Sequence, residues 1–344
     1  MNVRAGVLGA TGAVGQRLVR LLDSHPRFVL AALTASEASA GEPYGEAADW
    51  LLPEPMPEGI EDRTVRETAV ENLPDDVDLL FSSLPSGVAA DVEPALAAEG
   101  YVVSSNSSNE RLADDVPLVI PEVNADHLGL IERQREQRGW DGALVKNPNC
   151  STITFVPTLA ALDDWGLRQV HVATLQAVSG AGYTGVSSME IIDNVVPHIG
   201  GEEEKMEQES RKLLGEFDGT AVDHHDVAVS ASANRVPTVD GHLENVWVET
   251  EDDLDPASAA TAMREYPSLD LPHAPESLIE VFDRPDRPQP RLDRMRADGM
   301  NVIVGGLQAS TFGLQYNVMA HNTLRGAAGA SLLNGELLLA EGYL

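Results

Sequence analysis

The stretch Gly9-Ala10-Thr11-Gly12-Ala13-Val14-Gly15 constrains the fold more than any other part of the chain. Val3 to Leu8, an apolar run interrupted only by Arg4, reads as a strand, and Gln16 to Leu22 has helical periodicity, so the glycines occupy a strand–turn–helix junction. Their G-x-x-G-x-x-G spacing allows a tight turn, close approach of backbone to a pyrophosphate, and close packing of helix on strand. Such a junction opens a parallel sheet with helices on both faces. We therefore expect an α/β chain whose first domain, residues 1–149, is a Rossmann-type doubly wound dinucleotide-binding unit.

The following segments fit that unit. Phe28 to Leu33 is a second strand, ending at Thr34-Ala35-Ser36-Glu37, where an NAD enzyme places a carboxylate against the ribose 2′-hydroxyl. Thr34 and Ser36 offer hydroxyls that suit a 2′-phosphate, which favours NADP, while the nearby Glu37 keeps NAD or dual use open. Glu42 to Leu73 is rich in Pro, Gly and acid and reads as irregular connection plus an edge strand. Further strands are expected at Val77–Phe81, Tyr101–Ser105 and Gly142–Val145, with a helix from Val88 to Glu99. Arg111 follows a loop of hydroxyls and amides; its guanidinium fork suits a phosphate or carboxylate, and equally a surface salt bridge.

Cys150 is the only cysteine among 344 residues, so no internal disulfide forms. Asn147-Pro148-Asn149 is turn-forming, and the apolar Thr152 to Val156 would start a helix at the cysteine. A sulfur at a helix N-terminus is favoured as thiolate, although a lone Cys is also an ordinary small buried hydrophobe. Beyond it, Gln169–Gln176, Val227–Ala233 and His242–Glu249 are longer alternating strands of a second α+β domain, residues 150–321, with an antiparallel or mixed sheet. The small-residue run from His321 to Leu333 reads as a helix that returns to the first domain and completes it with residues 322–344.

The net charge is −32, with 55 acidic against 23 basic side chains, and only Lys146, Lys205 and Lys212 are lysines. Nucleic acid and anionic membranes are poor partners for such a surface. Concentrated salt, with a Debye length of about 3 Å at 1 M, would relieve its self-repulsion. A salt-adapted cytoplasmic protein is expected, the alternative being an acidic mesophilic enzyme. No signal peptide or membrane-spanning run is read, and no metal is expected.

Three further stretches are dense in reactive residues or glycine. Gln176 to Tyr183 ends a strand in the loop Ser179-Gly180-Ala181-Gly182, Gly201 to Met206 opens a helix with three acids, and Asn234 to His242 holds an arginine and a histidine about a turn. A histidine beside a thiol can exchange a proton with it near neutral pH. Nine histidines compete for that place, His224, His225 and His321 among them, and position favours His242.

Asn147 to Thr152, Ser179 to Gly182, Arg235 with His242 seven positions on, and the glycine turn together resemble the aspartate-semialdehyde dehydrogenase family, in order along nearly the whole chain. Glu202 to Met206 and His321 to Ala330 are similar to its archaeal branch. The resemblance implies reversible conversion of L-aspartyl 4-phosphate to L-aspartate 4-semialdehyde with NADP, in lysine, threonine and methionine biosynthesis. It implies Cys150 as the nucleophile that forms a thioacyl enzyme and His242 as general acid/base. Gln176 and Arg235 would hold the substrate carboxylate and Glu202 its amine, with Glu203 in reserve. Arg111 and Lys205 would form the phosphate site, with Asn149 beside it. Gly9, Thr11, Gly12, Ala13, Val14, Ser36, Ser39, Ser83, Gly180 and Asn322 would meet the cofactor. A homodimer or homotetramer is expected. The rival readings are N-acetyl-glutamyl-phosphate reductase, whose cysteine is followed by tyrosine where Ser151 stands here, malonyl-CoA reductase, and a non-catalytic dinucleotide-binding regulator.

Overall fold

A computed structural model describes residues 2–182 and 184–344; Tyr183, at the end of the glycine loop, and Met1 lie outside the described residues. Strands β1 (Val3–Leu8), β2 (Phe28–Ala35), β3 (Arg66–Glu67), β4 (Leu79–Ser82), β5 (Val102–Ser105) and β6 (Ala143–Lys146) form one sheet in the order β3-β2-β1-β4-β5-β6. Every pairing in it is parallel. Helices cover both faces of such a sheet, and β4, β5 and β6 are accordingly buried at every residue.

The glycine turn joins β1 to helix α1 (Ala13–Leu22). Gly9 has φ +74°, and a Cβ on Gly15 would stand 2.2 Å from the Gly9 carbonyl oxygen, so helix and turn touch backbone to backbone. Helices α2 (Ser86–Ala98) and α3 (Leu130–Arg138) follow β4 and precede β6. Beneath the strand ends lies a fully buried ion pair of Lys146 with Glu93, and Ser82 and Ser105 hydroxyls also donate to Glu93 at 2.7 Å.

The second sheet contains β7 (Leu167–Gln176), β10 (Ala228–Arg235), β11 (His242–Thr250), β12 (Ile279–Phe282), β13 (Val302–Ser310) and β14 (Gly313–Ala320); β8 (Glu216–Phe217) and β9 (Val222–Asp223) make a separate hairpin. Its order is β10-β7-β11-β14-β13-β12, antiparallel at the centre and parallel at both edges, hence mixed. Strand β11 alternates buried and half-buried residues because helices α4 (Thr152–Ala160), α5 (Glu202–Leu213) and α6 (Pro256–Glu265) cover one face only. Strands β12 to β14 add to those expected from the sequence; Val302 to Val304 and the alternation Leu314, Tyr316, Val318 are the local signals for β13 and β14.

The C-terminal helix departs from its expected form. His321 to Thr323 is a turn, Leu324–Ala328 is one π-helical turn, and helix α7 (Gly329–Ala340) starts only afterwards. The fully buried Arg325 forks onto both oxygens of Glu122 at 2.7 and 2.8 Å, and Gly326 presses on Cys150, so tertiary contacts set the winding there. Helix α7 then packs on α1, β4 and β5, with Gly335 against Phe81. Among the described residues no helix is long and apolar enough to cross a membrane.

Candidate active site

Cys150 sits between β6 and α4. The Asn149 carbonyl Oδ1 accepts from the Ser151 and Thr152 N–H groups at 2.8 and 3.3 Å, which closes the turn and starts the helix at Thr152. Across the cleft, His242 is the first residue of β11, and its Nε2 stands 3.3 Å from Cys150 Sγ. The Ala177 N–H donates to His242 Nδ1 at 3.1 Å. Nδ1 is thus the acceptor, and the neutral ring carries its proton on Nε2, aimed at sulfur.

Desolvation of the sulfur opposes the stabilisation of a thiolate expected at the helix N-terminus. Burial, and next the charge of Glu202, push the Cys150 thiol up to about 12, against the opposing pull of Arg111 and Arg235. Burial likewise drives His242 down to about 3, with Arg235 and His321 adding to it. The resting pair is therefore a thiol beside a neutral imidazole. Cys150 keeps partial access to the cleft.

Gln176 and Arg235 end the neighbouring strands β7 and β10 as register partners, and both are buried. Arg235 Nη1 donates to the Ala177 carbonyl at 2.7 Å. Gly180 lies over this corner: a Cβ there would be 2.8 Å from Arg235 Nη1, so a side chain would displace the guanidinium, and 3.4 Å from His242 Nε2.

Helix α5 supplies the carboxylates. Glu202 accepts from Asn149 Nδ2 at 2.9 Å, Lys205 Nζ at 3.1 Å and Gln176 Nε2 at 3.3 Å. Glu203 instead accepts from the Ala233 N–H of β10, and Glu204 from Gln208 on the helix surface. Two turns after Glu202, Glu209 accepts from Arg111 Nη1 at 2.8 Å and from the Asn149 N–H at 2.6 Å. Arg111, Asn149, Glu202, Lys205 and Gln176 thus form one connected network around the cysteine. Glu209 was missed in the sequence, although Glu202, Lys205, Glu209 and Lys212 share a helix face at intervals of three and four. Lys212 is buried and donates to the carbonyls of Arg111, Ala113 and Val116 at 2.7 to 2.9 Å, fixing the loop that carries Arg111.

The remaining positions divide. Gly12 is exposed at the start of α1, with Thr11, Ala13 and Val14 half-buried around it and no side chain capping the helix. Ser36 is exposed and Ser39 half-buried at the end of β2, flanking the exposed Glu37. Thr34 is withdrawn as a hydroxyl for the cofactor, because it is fully buried and shares a hydrogen bond with Thr68 at 2.8 Å. Ser83 donates to the Leu8 carbonyl at 2.9 Å, tying β4 to the glycine turn. Asn322 accepts from the Gly241 N–H and donates to Ser179 Oγ, both at 2.8 Å, which locks the histidine turn to the glycine loop. Of the competing histidines, His225 pairs with Asp163, and His321 lies behind His242 with its own pKa lowered to about 4 by burial.

A doubly wound dinucleotide fold joined to a mixed sheet that sets an imidazole beside a lone thiol defines a dinucleotide-dependent dehydrogenase. The family model of the semialdehyde dehydrogenase NAD binding domain matches residues 4–131, and that of the semialdehyde dehydrogenase dimerisation domain matches residues 159–325. With 51% identity over 342 residues to the aspartate-semialdehyde dehydrogenase of Archaeoglobus fulgidus, covering 99% of each chain, this chain belongs to the aspartate-semialdehyde dehydrogenase family. The crystal structure of the Candida albicans aspartate-semialdehyde dehydrogenase with NADP is similar over the whole of both chains, with TM-score 0.91 and 39% identity. The malonyl CoA reductase (NADP) of Metallosphaera sedula is 36% identical over 100% of this chain and 98% of its own.

Proposed function

We propose that the chain catalyses the reversible reduction of L-aspartyl 4-phosphate to L-aspartate 4-semialdehyde and phosphate, with NADP as hydride carrier. The observation that carries this reading is the 3.3 Å approach of His242 Nε2 to Cys150 Sγ inside a ring of arginines and carboxylates. Cys150 Sγ bonds to the acyl carbon as the bond to the phosphate oxygen breaks, and the thiol proton leaves with the phosphate. Arg111 and Lys205 meet that phosphate by exchanging their present partners Glu209 and Glu202 for its oxygens. Arg235 and Gln176 hold the α-carboxylate, Glu202 orients the amine, and Asn149 holds Glu202. When bound, the nicotinamide supplies the hydride that reduces the thioester. His242 holds a proton on Nε2 toward the oxygen that turns negative in that step.

The cofactor fits the glycine turn. Gly12 is open, α1 begins uncapped, and its first N–H groups, on Ala13, Val14 and Gly15, have no partner within the helix, so a pyrophosphate can take them. Gly9 belongs to the same turn, Ser36 and Ser39 suit a 2′-phosphate, and Ser83, Gly180 and Asn322 shape the path toward Cys150. NADP is favoured over NAD, a preference supported by the NADP-bound relative.

Residues 1–149 with 322–344 are taken as the cofactor unit and 150–321 as the catalytic and dimerisation unit, supported by the packing of α7 on β4 and β5. A homodimer or homotetramer is supported by the dimerisation-domain match. Salt adaptation is supported by charge and lysine usage: Lys146 and Lys212 are buried and Lys205 lines the cleft, leaving arginine as the basic residue of the open surface. The archaeal-type, cytoplasmic reading and the place in lysine, threonine and methionine biosynthesis rest on the family resemblance and on the proposed reaction, with the Archaeoglobus fulgidus relative in support of the branch.

The test is phosphate-dependent reduction of NADP by aspartate 4-semialdehyde in concentrated KCl. Cys150→Ala should abolish it, and substantial remaining activity would sink the nucleophile assignment. His242→Asn should lower the rate roughly 10²–10⁴-fold. Turnover of malonyl-CoA with no turnover of the semialdehyde would replace the reading with that of the Metallosphaera relative.

A further inference from the structure

Glu244 stands two residues after His242 on β11, on the same buried face, and is fully buried. Among the described residues neither of its carboxyl oxygens has a hydrogen-bond partner at normal distance, and the Ser151 side chain is close enough to act on it as one. Ser151, next to Cys150, is also fully buried, and its hydroxyl likewise has no partner at normal distance. The two groups are neighbours across the interface between β11 and the start of α4. A buried polar group of either kind left without a partner is destabilising, and an uncompensated carboxylate there is more so. A hydrogen bond between them satisfies both at once, and it joins the element carrying the nucleophile to the strand carrying its histidine.

We propose, resting on the cysteine reading above, that Glu244 is a positioning residue: as a neutral carboxylic acid it donates its proton to the Ser151 hydroxyl and so fixes the distance from Cys150 to His242. The titratable groups that bear on it agree with the neutral form. Glu202 on α5 is a like charge, Cys150 on the turn below is a neutral thiol at rest, Tyr316 on β14 is a neutral phenol, and His242 on its own strand is a neutral imidazole. Burial raises Glu244 well above the carboxylate range. As a positioning residue Glu244 acts through Ser151, so its loss should change kcat and leave KM in place.

The variants E244L, E244Q, S151A and S151A/E244L decide it, each measured for kcat, KM, thermal melting and alkylation of Cys150 by iodoacetamide in the free enzyme at pH 8. We expect E244L to melt below the parent, since the buried Ser151 hydroxyl loses its partner, and to lose roughly 10–10²-fold in kcat with KM within about threefold. E244Q, whose amide can donate as the acid does, recovers kcat to within about fivefold. The double variant falls no further than the worse single one, because both substitutions break one link. Alkylation slows in E244L and recovers in E244Q. Full kcat in E244L, a loss in E244Q equal to that in E244L, or losses that multiply in the double variant would each overturn the proposal. Alkylation needs no substrate, so a parent enzyme inert toward aspartate 4-semialdehyde would defeat the functional reading while the Glu244 link is still judged.

Discussion

Gly326 lies in the π-helical turn before α7, and a Cβ built on it stands 2.8 Å from Cys150 Cβ and 3.3 Å from Cys150 Cα. Those are stiff, backbone-proximal atoms, and ordinary contact begins at 3.4 Å, so Gly326→Ala demands a separation of 0.6 Å. The π-turn cannot easily supply it, because Arg325 is fully buried and forked on Glu122. The cysteine moves instead, and a displacement along the Sγ–Nε2 line would stretch 3.3 Å to about 3.9 Å, the limit of a sulfur hydrogen bond. Overpacking costs about 1–3 kcal/mol of stability. Misplacement of the nucleophile should lower kcat roughly 10–10²-fold with little change in KM, since Arg235 and Gln176 stand on strands the turn does not touch. Steady-state reduction of NADP, Cys150 alkylation and urea unfolding measure the three effects, with Gly87→Ala, where an added Cβ meets nothing within 4 Å, as control. A Gly326→Ala enzyme with kcat and alkylation within twofold of the parent would refute the idea that the closing turn sets the sulfur.

His242 is held near pKa 3 against 6.5 when free, so the unfolded chain binds the extra proton and stability present above pH 6.5 falls as pH drops toward 3. At pH 5 this amounts to about 2 kcal/mol, and His242→Asn should remove that part of the acid slope in urea midpoints; parallel slopes would contradict it. Breaking the fully buried Lys146–Glu93 pair with Lys146→Met should cost about 3–5 kcal/mol, and adding Glu93→Leu should return part of it; a costless single substitution would show the pair to be solvated. Melting temperature should climb with KCl up to molar concentrations, and full stability in dilute buffer would remove salt adaptation from the account. Ser36→Ala should raise KM for NADP roughly 3–10-fold and spare NAD, as loss of one hydrogen bond to a charged group implies; equal effects on both cofactors would place the 2′-phosphate elsewhere.

Where a signal is local, the sequence alone was decisive. A strand, three spaced glycines and a periodic helix dictate a parallel sheet from the first two dozen residues, because the turn tolerates no side chain at Gly15. The short continuous apolar runs of β4 to β6 could only be buried strands. Tertiary structure decided whatever depends on surroundings. The Thr34 hydroxyl, promising beside Ser36, is spent on a residue 34 positions away. Cys150, at a helix start that favours thiolate, has its pKa raised by burial and by the charge of Glu202, which stands 52 positions away. Glu209 and Glu244 carry no motif at all; they matter through what stands beside them once α5 and β11 are folded against the cysteine turn. Periodicity and turn chemistry act over a few residues and are written in order along the chain, whereas desolvation and pairing act through space and exist only after the chain has closed around them.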